Sequence, residues 1–310
     1  MTLTPDIGLL IAALLGCGVV AGVLAGLLGV GGGIVIVPML YHVFTVYGIA
    51  PDTAMPLSVG TSLSTIVLTS WVSARKHHQR GTVGWSLVRH WVPAVLVGVL
   101  LGTAFAHDIS GLVLKSMFGV LLIVVSVHMV VTARRALSLF PDLPGRWLQS
   151  ILAVAVGGLS SLLGIGGGTL MVPLLSLFSY PIHRAVATSA VFGFVISVPA
   201  TLGYVIGGWH ARGVPPVSTG YVNWLAFASL VPATMLCAPL GVKLAYRLDV
   251  GQLKRLFALF LFIVGFASLV PATMLCAPLG VKLAYRLDVG QLKRLFALFL
   301  FIVGVRMAFF

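Results

Sequence analysis

Long apolar segments joined by short polar loops run along almost the whole chain. They span roughly residues 7–29, 33–49, 54–73, 86–106 and 112–133 in the first half, and roughly 147–165, 168–182, 185–207, 222–244 and 253 onward in the second. A helix of about 20 apolar residues is long enough to cross a bilayer. The pattern therefore predicts an all-α integral membrane protein with many crossings.

The same glycine-rich turn interrupts the apolar sequence twice. Residues 26–38 read Gly-Leu-Leu-Gly-Val-Gly-Gly-Gly-Ile-Val-Ile-Val-Pro, and residues 161–173 read Ser-Leu-Leu-Gly-Ile-Gly-Gly-Gly-Thr-Leu-Met-Val-Pro. Each glycine costs a helix about 1 kcal/mol relative to alanine. Broken helices survive in a bilayer only where they are buried in protein or line a polar cavity. Two such breaks are typical of a transporter built from two related halves.

The correspondence between the halves extends beyond the glycines. Thr61-Ser62 matches Thr188-Ser189, and the loop His78-Gln-Arg-Gly81 matches His210-Ala-Arg-Gly213. A polar linker containing Pro-Asp-Leu-Pro-Gly separates the two halves. We therefore predict a first transmembrane repeat over residues 1–140 and a second over residues 141–310.

The basic residues indicate how many times each half crosses the membrane. The chain has 19 Lys and Arg against 6 acidic residues, which gives a formal net charge of +13. With five crossings per half, nearly all basic residues lie toward one side, and only Lys115 and Arg212 lie toward the other. With four crossings they are distributed almost evenly. Because cytoplasmic loops are rich in Lys and Arg, we predict five, which makes the repeats inverted in topology and places the N-terminus outside the cytoplasm.

The segments that follow the glycine turns are short. Residues 33–47 reach only about 22 Å as a helix, at 1.5 Å per residue. The hydrocarbon core is thicker, about 30 Å. We therefore expect each turn to dip well below the membrane surface, one from each face, toward the middle.

One stretch departs from this plan. Residues 227–265 recur without a single change as residues 266–304. Identity over this length indicates a very recent duplication or an error of sequence assembly. From Arg255 to Lys282 the intervening residues can form about 39 Å of helix, which is too short for two crossings of about 30 Å each. The second copy is therefore an anomalous duplicated C-terminal segment within the second repeat.

The glycine turns are the first candidates for a binding site. A helix that begins at such a turn presents unpaired N–H groups and a partial positive charge, which together suit an anion. The alternative is that the glycines only allow close packing between membrane helices. Because the whole pattern occurs twice, we favour an anion site with backbone donors at Gly31, Gly32, Gly33, Gly166, Gly167 and Gly168.

Hydroxyl side chains in the third and eighth segments are the second set of candidates. Their O–H groups can donate to an oxyanion without adding a charge that would trap it. The alternative is hydrogen bonding between helices or back to the helix's own carbonyls. For the matched pairs we favour substrate binding, and we assign it to Thr61, Ser62, Thr188 and Ser189.

Several classes of protein are excluded, because the chain lacks the residues that their chemistry requires. No Asp or Glu lies within a predicted span, which removes both a carboxylate proton relay and a counter-charge for a cationic substrate. No nucleophile–base set, P-loop or metal-ligand cluster is visible, so we predict no enzyme, no catalytic residue, no metal and no cofactor. Scattered basic residues argue against a nucleic-acid partner. We interpret His42 and His128 as interfacial, and His77-His78 as part of a basic cytoplasmic loop.

The paired glycine runs, the Ala185-x-x-Thr-Ser pattern and the His-x-Arg-Gly loops resemble the sulfite exporter TauE/SafE family of membrane permeases. The resemblance covers residues 1–265 and the tail 305–310. It implies a multi-pass protein of the bacterial inner membrane that moves sulfite or small organosulfonates outward.

The residues and the resemblance together predict a secondary transporter that works by alternating access. Its partners would be a small anionic substrate and the lipid bilayer, with a homo-oligomer as a further option. Two alternatives stay open. One is a channel-like or uniport path for another small organic anion, and the other is a membrane scaffold that transports nothing.

Overall fold

The computed structural model describes residues 7–28, 31–106, 108–131, 143–178 and 180–247. Helices account for most of these residues and follow the apolar segments in order. Their bounds are α1 Ile7–Leu28, α2 Gly33–Val46, α3 Pro51–Gln79, α4 Trp85–Ala106, α5 Gly111–Val131, α6 Arg146–Leu163, α7 Gly168–Leu177, α8 Ile182–Gly207 and α9 Trp224–Arg247. The predicted segment from residue 253 onward and the second copy, 266–304, lie outside the described residues.

A small hairpin between α8 and α9 departs from the expected all-α chain. Strands β1 Ser218–Thr219 and β2 Val222–Asn223 pair antiparallel. The turn between them uses Gly220 in the left-handed region, with φ 56°. Each strand has only two residues, too few for an alternating apolar pattern to reveal it. Asn223 then caps α9, because its Oδ1 accepts the Ala226 N–H at 2.9 Å.

The composition of the helices is that of a membrane protein. Within the described ranges, five helices are long and apolar enough to cross a bilayer: Pro51–Gln79, Trp85–Ala106, Arg146–Leu163, Arg184–Gly207 and Trp224–Leu244. Large apolar side chains face outward from them, such as Leu100, Ile206 and Leu236, which are 61%, 72% and 75% exposed. Such surfaces suit contact with lipid chains.

The chain divides into two compact units. The larger comprises residues 1–111 and 139–243, and the smaller comprises residues 112–138 and 244–310. Of the smaller unit, the structure describes most of α5 and the last turn of α9. Every residue of the candidate binding site belongs to the larger unit.

Helices α3 and α8 run antiparallel within the larger unit. A Cβ at Gly60 near the start of α3 would lie 3.1 Å from Tyr204 Cβ near the end of α8, and a Cβ at Gly193 would lie 2.6 Å from Ser70 Oγ. Most of α3 is buried, and its buried side chains include eight Ser and Thr: Ser58, Thr61, Ser62, Ser64, Thr65, Thr69, Ser70 and Ser73. The most polar of the long helices is therefore enclosed by apolar ones.

Glycines bring two further helix pairs into close contact. A Cβ at Gly18 or Gly22 of α1 would lie 2.8 Å from Leu230 O or 2.5 Å from Thr234 O of α9. In the same way, a Cβ at Gly157 of α6 would overlap Val95 O of α4, and one at Gly102 of α4 would lie 2.6 Å from Gly158 O. Both pairs are parallel, because contacts advance in the same direction along each helix. Small residues at interfaces allow such close approach of membrane helices.

These contacts place the exposed charges at opposite ends of the helices. His77 near the end of α3 contacts Gly26 near the end of α1, and Gly84 before α4 contacts Thr188 near the start of α8. Seven Lys and Arg whose side chains are described as exposed lie toward that end, namely Arg75, Lys76, Arg80, Arg89, Arg146, Arg184 and Lys243. Asp52, Asp108 and Arg212 lie toward the other end.

Candidate functional site

The first glycine turn joins α1 to α2. Gly31 and Gly32 have φ values of 76° and 81°, in the left-handed region that glycine adopts most readily. Helix α2 begins at Gly33, and no side chain caps its start. A helix start without a side-chain cap leaves N–H groups available to a ligand.

The second turn joins α6 to α7 with a similar construction. Gly164, which ends α6, and Gly166 have φ values of 67° and 66°. Gly167 stays in the right-handed region, with φ −63° and ψ −27°, and precedes α7, which begins at Gly168. The start of α7 also lacks a side-chain cap.

The two turns contact each other. A Cβ at Gly33 would overlap the Gly164 carbonyl oxygen and would lie 2.6 Å from Ile165 Cα. The contact lies deep among the helices, because Gly31 packs against Ile66 of α3, about midway along that helix. The structure therefore brings the first-turn glycines Gly31, Gly32 and Gly33 close to the second turn, which continues into Gly166, Gly167 and Gly168.

Close packing also constrains these glycines. A Cβ at Gly32 would lie 2.9 Å from Ala21 O, and one at Gly167 would lie 2.8 Å from Ile196 Cδ1. Both distances are too short for an ordinary side chain. Close packing of the glycines is therefore observed at both positions, and anion binding there stays a prediction.

The four candidate hydroxyls differ in their partners. Ser62 Oγ donates to Gly164 O at 2.8 Å, so α3 holds the end of α6 at the second turn. Thr61 Oγ1 accepts the Asn223 N–H at 2.9 Å, and Thr188 Oγ1 accepts the Gly84 N–H at 3.0 Å. Ser189 Oγ is buried and has no hydrogen-bond partner. Among the four candidates, it is thus the hydroxyl that neither donates nor accepts a hydrogen bond in the described structure.

The two threonine contacts are counterparts. Asn223 directly precedes Trp224, where α9 begins, and Gly84 directly precedes Trp85, where α4 begins. Each threonine therefore accepts the backbone N–H of the residue directly before a helix: Thr61 that of the residue before α9, and Thr188 that of the residue before α4. A threonine hydroxyl that accepts a hydrogen bond still has its own proton to donate, so both remain available as donors to a ligand.

Replacing Ser62 by alanine is expected to destabilise the protein by about 1–3 kcal/mol, because the buried Gly164 carbonyl loses its donor. Thermal unfolding in detergent measures the change. Ser64→Ala is the control, since the Ser64 hydroxyl only bonds back to Thr61 O within α3, at 2.7 Å, and its loss is expected to cost less. Equal melting temperatures for the two variants would contradict the assigned contact.

Two residues near the site were not identified from the sequence. Tyr204 Oη donates to Leu162 O at 3.0 Å, and His77 Nε2 lies 3.3 Å from Gly26 O. Each side chain therefore reaches a carbonyl in the last turn of the helix that precedes a glycine turn. The signal was present in the sequence, because both residues follow their Thr-Ser pair at the same spacing.

One histidine, His77, differs from the sequence interpretation. His77 does not lie in a solvated loop: it is in the last turn of α3 and is only 1% exposed. The helix continues past the apolar segment because polar residues at its end still form helical hydrogen bonds. His78 is exposed and accepts the Trp85 Nε1–H at 3.3 Å. His42 is exposed on α2, and the side chain of His128 is outside the described structure.

Two of the predicted absences concern acidic groups and metals. Asp52, in the first turn of α3, and Asp108 are the acidic residues in the part of the chain described, and both are exposed. The described residues contain no group of three or more His, Cys, Asp or Glu that could hold a metal ion. The interior around the glycine turns therefore offers neutral donors in the ranges described.

The sequence is similar to those of known membrane transporters. The family model described as "Sulfite exporter TauE/SafE" matches residues 14–268. A "Probable membrane transporter protein" from Haemophilus influenzae is 31% identical over 80% of this chain and 93% of its own length. Proteins with similar names from Methanocaldococcus jannaschii and Bacillus subtilis are 27% and 28% identical, over 83% and 80% of this chain and 94% and 93% of their own lengths.

No solved structure matches the chain. The family match covers most of the sequence and ends close after the first copy of the duplicated segment. The similar proteins are matched over nearly their whole lengths. The chain is therefore a membrane transporter that belongs to the sulfite exporter TauE/SafE family.

Proposed function

We propose that this transporter exports sulfite, or a related small sulfur-containing oxyanion or organosulfonate, by alternating access. The observation that carries the proposal is the contact between Gly33 and the Gly164–Ile165 backbone. It sets the uncapped start of α2 beside the turn that leads to the uncapped start of α7. Helix starts carry partial positive charge and free N–H groups, which favour an anion.

The proposed site binds through neutral groups. Its backbone donors would come from the two triple-glycine turns, and its hydroxyl donors from Thr61, Thr188 and Ser189. Ser62, the fourth candidate, gives its one O–H to Gly164 O and would hold the second turn in place. Ser189 supports the assignment most directly, because a buried hydroxyl without a partner is costly unless a ligand or water satisfies it. Neutral donors bind an anion without the strong ion pair that would slow its release.

Contacts between helices support the proposed pair of inverted repeats, residues 1–140 and 141–310. Helix α1 packs parallel to α9 through Gly18 and Gly22, and α6 packs parallel to α4 through Gly157. In two repeats of five helices, α6 is the counterpart of α1 and α9 is the counterpart of α4. The contact of α1 with α9 and the contact of α6 with α4 are then equivalent. The antiparallel arrangement of α3 and α8 is what an inversion requires of this pair.

The two threonine contacts suit alternating access. Thr188 binds the connection before α4, at the end of the helices where the basic residues lie. Thr61 binds the connection before α9, toward the opposite end. We propose that breaking one of these contacts at a time opens the site to one side. Rocking of one repeat against the other around a fixed central site is the usual mode for transporters of this type.

Flux measurements on the purified chain in proteoliposomes test the proposed function. Sulfite, methanesulfonate, sulfate, acetate and chloride would each be loaded inside and their efflux followed. We expect the efflux of sulfite or methanesulfonate to saturate with concentration. When an ion gradient is imposed across the vesicle membrane, we expect the anion to accumulate against its own gradient. Linear flux without accumulation would favour a channel-like path, and no flux above empty vesicles would favour a scaffold.

The duplicated segment requires a second preparation. A variant lacking residues 266–304 would be assayed beside the full chain, since the family match does not extend through the second copy. Equal flux by both forms would place the transport activity in the shared residues.

We also propose the cytoplasmic membrane of a bacterium as the location, because the basic residues gather at one end as the positive-inside rule expects.

A further inference from the structure

Helices α3 and α8 each cap the end of the helix that precedes a glycine turn, but they use different side chains. Tyr204 of α8 donates to Leu162 O of α6 at 3.0 Å. His77 of α3 places Nε2 3.3 Å from Gly26 O of α1. The positions correspond, because each residue lies 16 residues after its Thr-Ser threonine. Both side chains are 1% exposed.

The chemistry of the two caps differs in one respect. A tyrosine hydroxyl ordinarily keeps its proton at physiological pH. An imidazole ordinarily gains or loses a proton between pH 5 and 8. The end of a helix carries partial negative charge, so a positive imidazolium is favourable there. Only the cap in the first repeat can therefore change its charge under physiological conditions.

Among the described residues, three parts of the chain surround His77: α1, the connection after α3, and α3 itself. Helix α1 presents the Gly26 carbonyl to the imidazole, and it contains no charged side chain from Ile7 to Leu28. The neighbouring Ala25 carbonyl accepts the Ser73 hydroxyl at 3.4 Å. The connection after α3 presents Thr82, whose Oγ1 donates to His77 O at 3.2 Å. The neighbouring basic and titratable side chains on α3 and at its end are exposed to solvent, namely Arg75, Lys76, His78 and Arg80.

We propose that His77 is a proton-binding site whose occupancy is linked to anion binding at the glycine turns, so that transport is coupled to protons. The proposal rests on the function proposed above. Gly26 lies five residues before Gly31, so the imidazole holds the segment that leads directly into the first turn. A positive charge there stabilises a nearby bound anion, and the anion stabilises the protonated imidazole in return.

The linked step is simple in its balance. A hydronium ion from the aqueous phase gives one proton to the imidazole: one O–H bond breaks, one N–H bond forms, and a water molecule is left. One positive charge at His77 then accompanies the negative charge of the bound anion. Tyr204 would hold its own helix end in the second repeat without taking part in this exchange.

Binding of sulfite to the full purified chain, measured by calorimetry from pH 5.5 to 8.5, tests the proposal. The variants are His77→Gln, His77→Tyr and, as matched control, His78→Gln, which alters the exposed neighbour. Sulfite itself titrates in this range, but that effect is common to all proteins and cancels in the ratio of dissociation constants. We expect the ratio of His77→Gln to wild type to change by up to about tenfold per pH unit, as linkage of one proton requires.

The controls separate a proton site from a structural cap. His77→Tyr introduces the side chain that the second repeat uses, so it should keep the cap and bind sulfite with the same pH dependence as His77→Gln. His78→Gln should behave like wild type. A ratio that stays constant across the pH range would overturn the proposal, even if His77→Gln binds sulfite more weakly throughout.

A second measurement does not depend on the anion. The melting temperature of the unliganded wild-type protein, relative to His77→Gln, should change with pH between 5.5 and 8.5, while that of His78→Gln should follow wild type. If no protein binds sulfite, the proposed function fails and the linkage to anion fails with it. A pH-independent difference in melting temperature would additionally show that His77 binds no proton in this range.

Discussion

Replacing Gly33 by alanine is expected to destabilise the protein by about 3 kcal/mol or more and to abolish anion flux. The new Cβ would overlap the Gly164 carbonyl oxygen and would lie 2.6 Å from Ile165 Cα. Both neighbours are backbone atoms, which cannot move aside by changing rotamer. Inserting volume into a well-packed site typically costs about 1–3 kcal/mol, and more where backbone must shift. Thermal unfolding in detergent and flux in proteoliposomes would measure the two effects.

Gly16→Ala is the matched control for this variant. Gly16 lies in α1, and a Cβ there would have no other atom within 4 Å. Alanine favours a helix over glycine by up to about 1 kcal/mol, so we expect unchanged or slightly higher stability and full flux. If Gly33→Ala unfolded at the same temperature as Gly16→Ala and transported normally, the two glycine turns would not be in contact.

Replacing Ser189 by alanine is expected to lower transport efficiency by roughly 10- to 100-fold without loss of stability. The wild-type hydroxyl is buried and has no partner among the described residues, so its removal leaves none of their polar groups unsatisfied. A hydrogen bond to a charged group contributes about 1.5–3 kcal/mol, which corresponds to the expected range. Concentration-dependent sulfite flux would measure the loss, and thermal unfolding would verify that the fold is intact.

Thr201→Val provides the comparison. Thr201 also lies on α8, and its buried Oγ1 likewise has no hydrogen-bond partner, but it follows Ser189 by about three helical turns. Removing its hydroxyl should have the same small effect on stability and none on flux. Equal flux by Ser189→Ala and Thr201→Val would exclude Ser189 from the binding site.

The sequence predicted most accurately those features that depend on residues adjacent along the chain. The breaks at Gly31–Gly33 and Gly166–Gly168 follow from runs of glycine that no helix tolerates well, and α4 at Trp85–Ala106 differs from the predicted segment by one residue. The prediction for α3 was less accurate, 54–73 against Pro51–Gln79. Hydropathy marks only the apolar part of a helix, whereas α3 continues through polar residues at both ends.

The partners of the site hydroxyls could not be predicted in this way. Thr61, Ser62 and Thr188 all belong to matched Thr-Ser pairs, but each bonds to backbone more than 100 positions away. Nothing in the local pattern distinguishes a hydroxyl that holds another helix from one that stays unpaired, such as Ser189. The short hairpin that supplies Asn223 was missed for a similar reason, since two residues per strand give no periodic signal.

The amino-acid sequence is enough to identify a helical membrane protein with two glycine breaks and no acidic side chain within its predicted spans. In a lipid environment each helix must satisfy its own backbone, so composition and glycine placement fix the helices locally. The folded structure is needed to show that Gly33 contacts Gly164, that α1 packs against α9 and α4 against α6, and that His77 is buried against α1. Those features depend on close contact between small residues far apart in the chain, where packing rather than local preference sets the outcome.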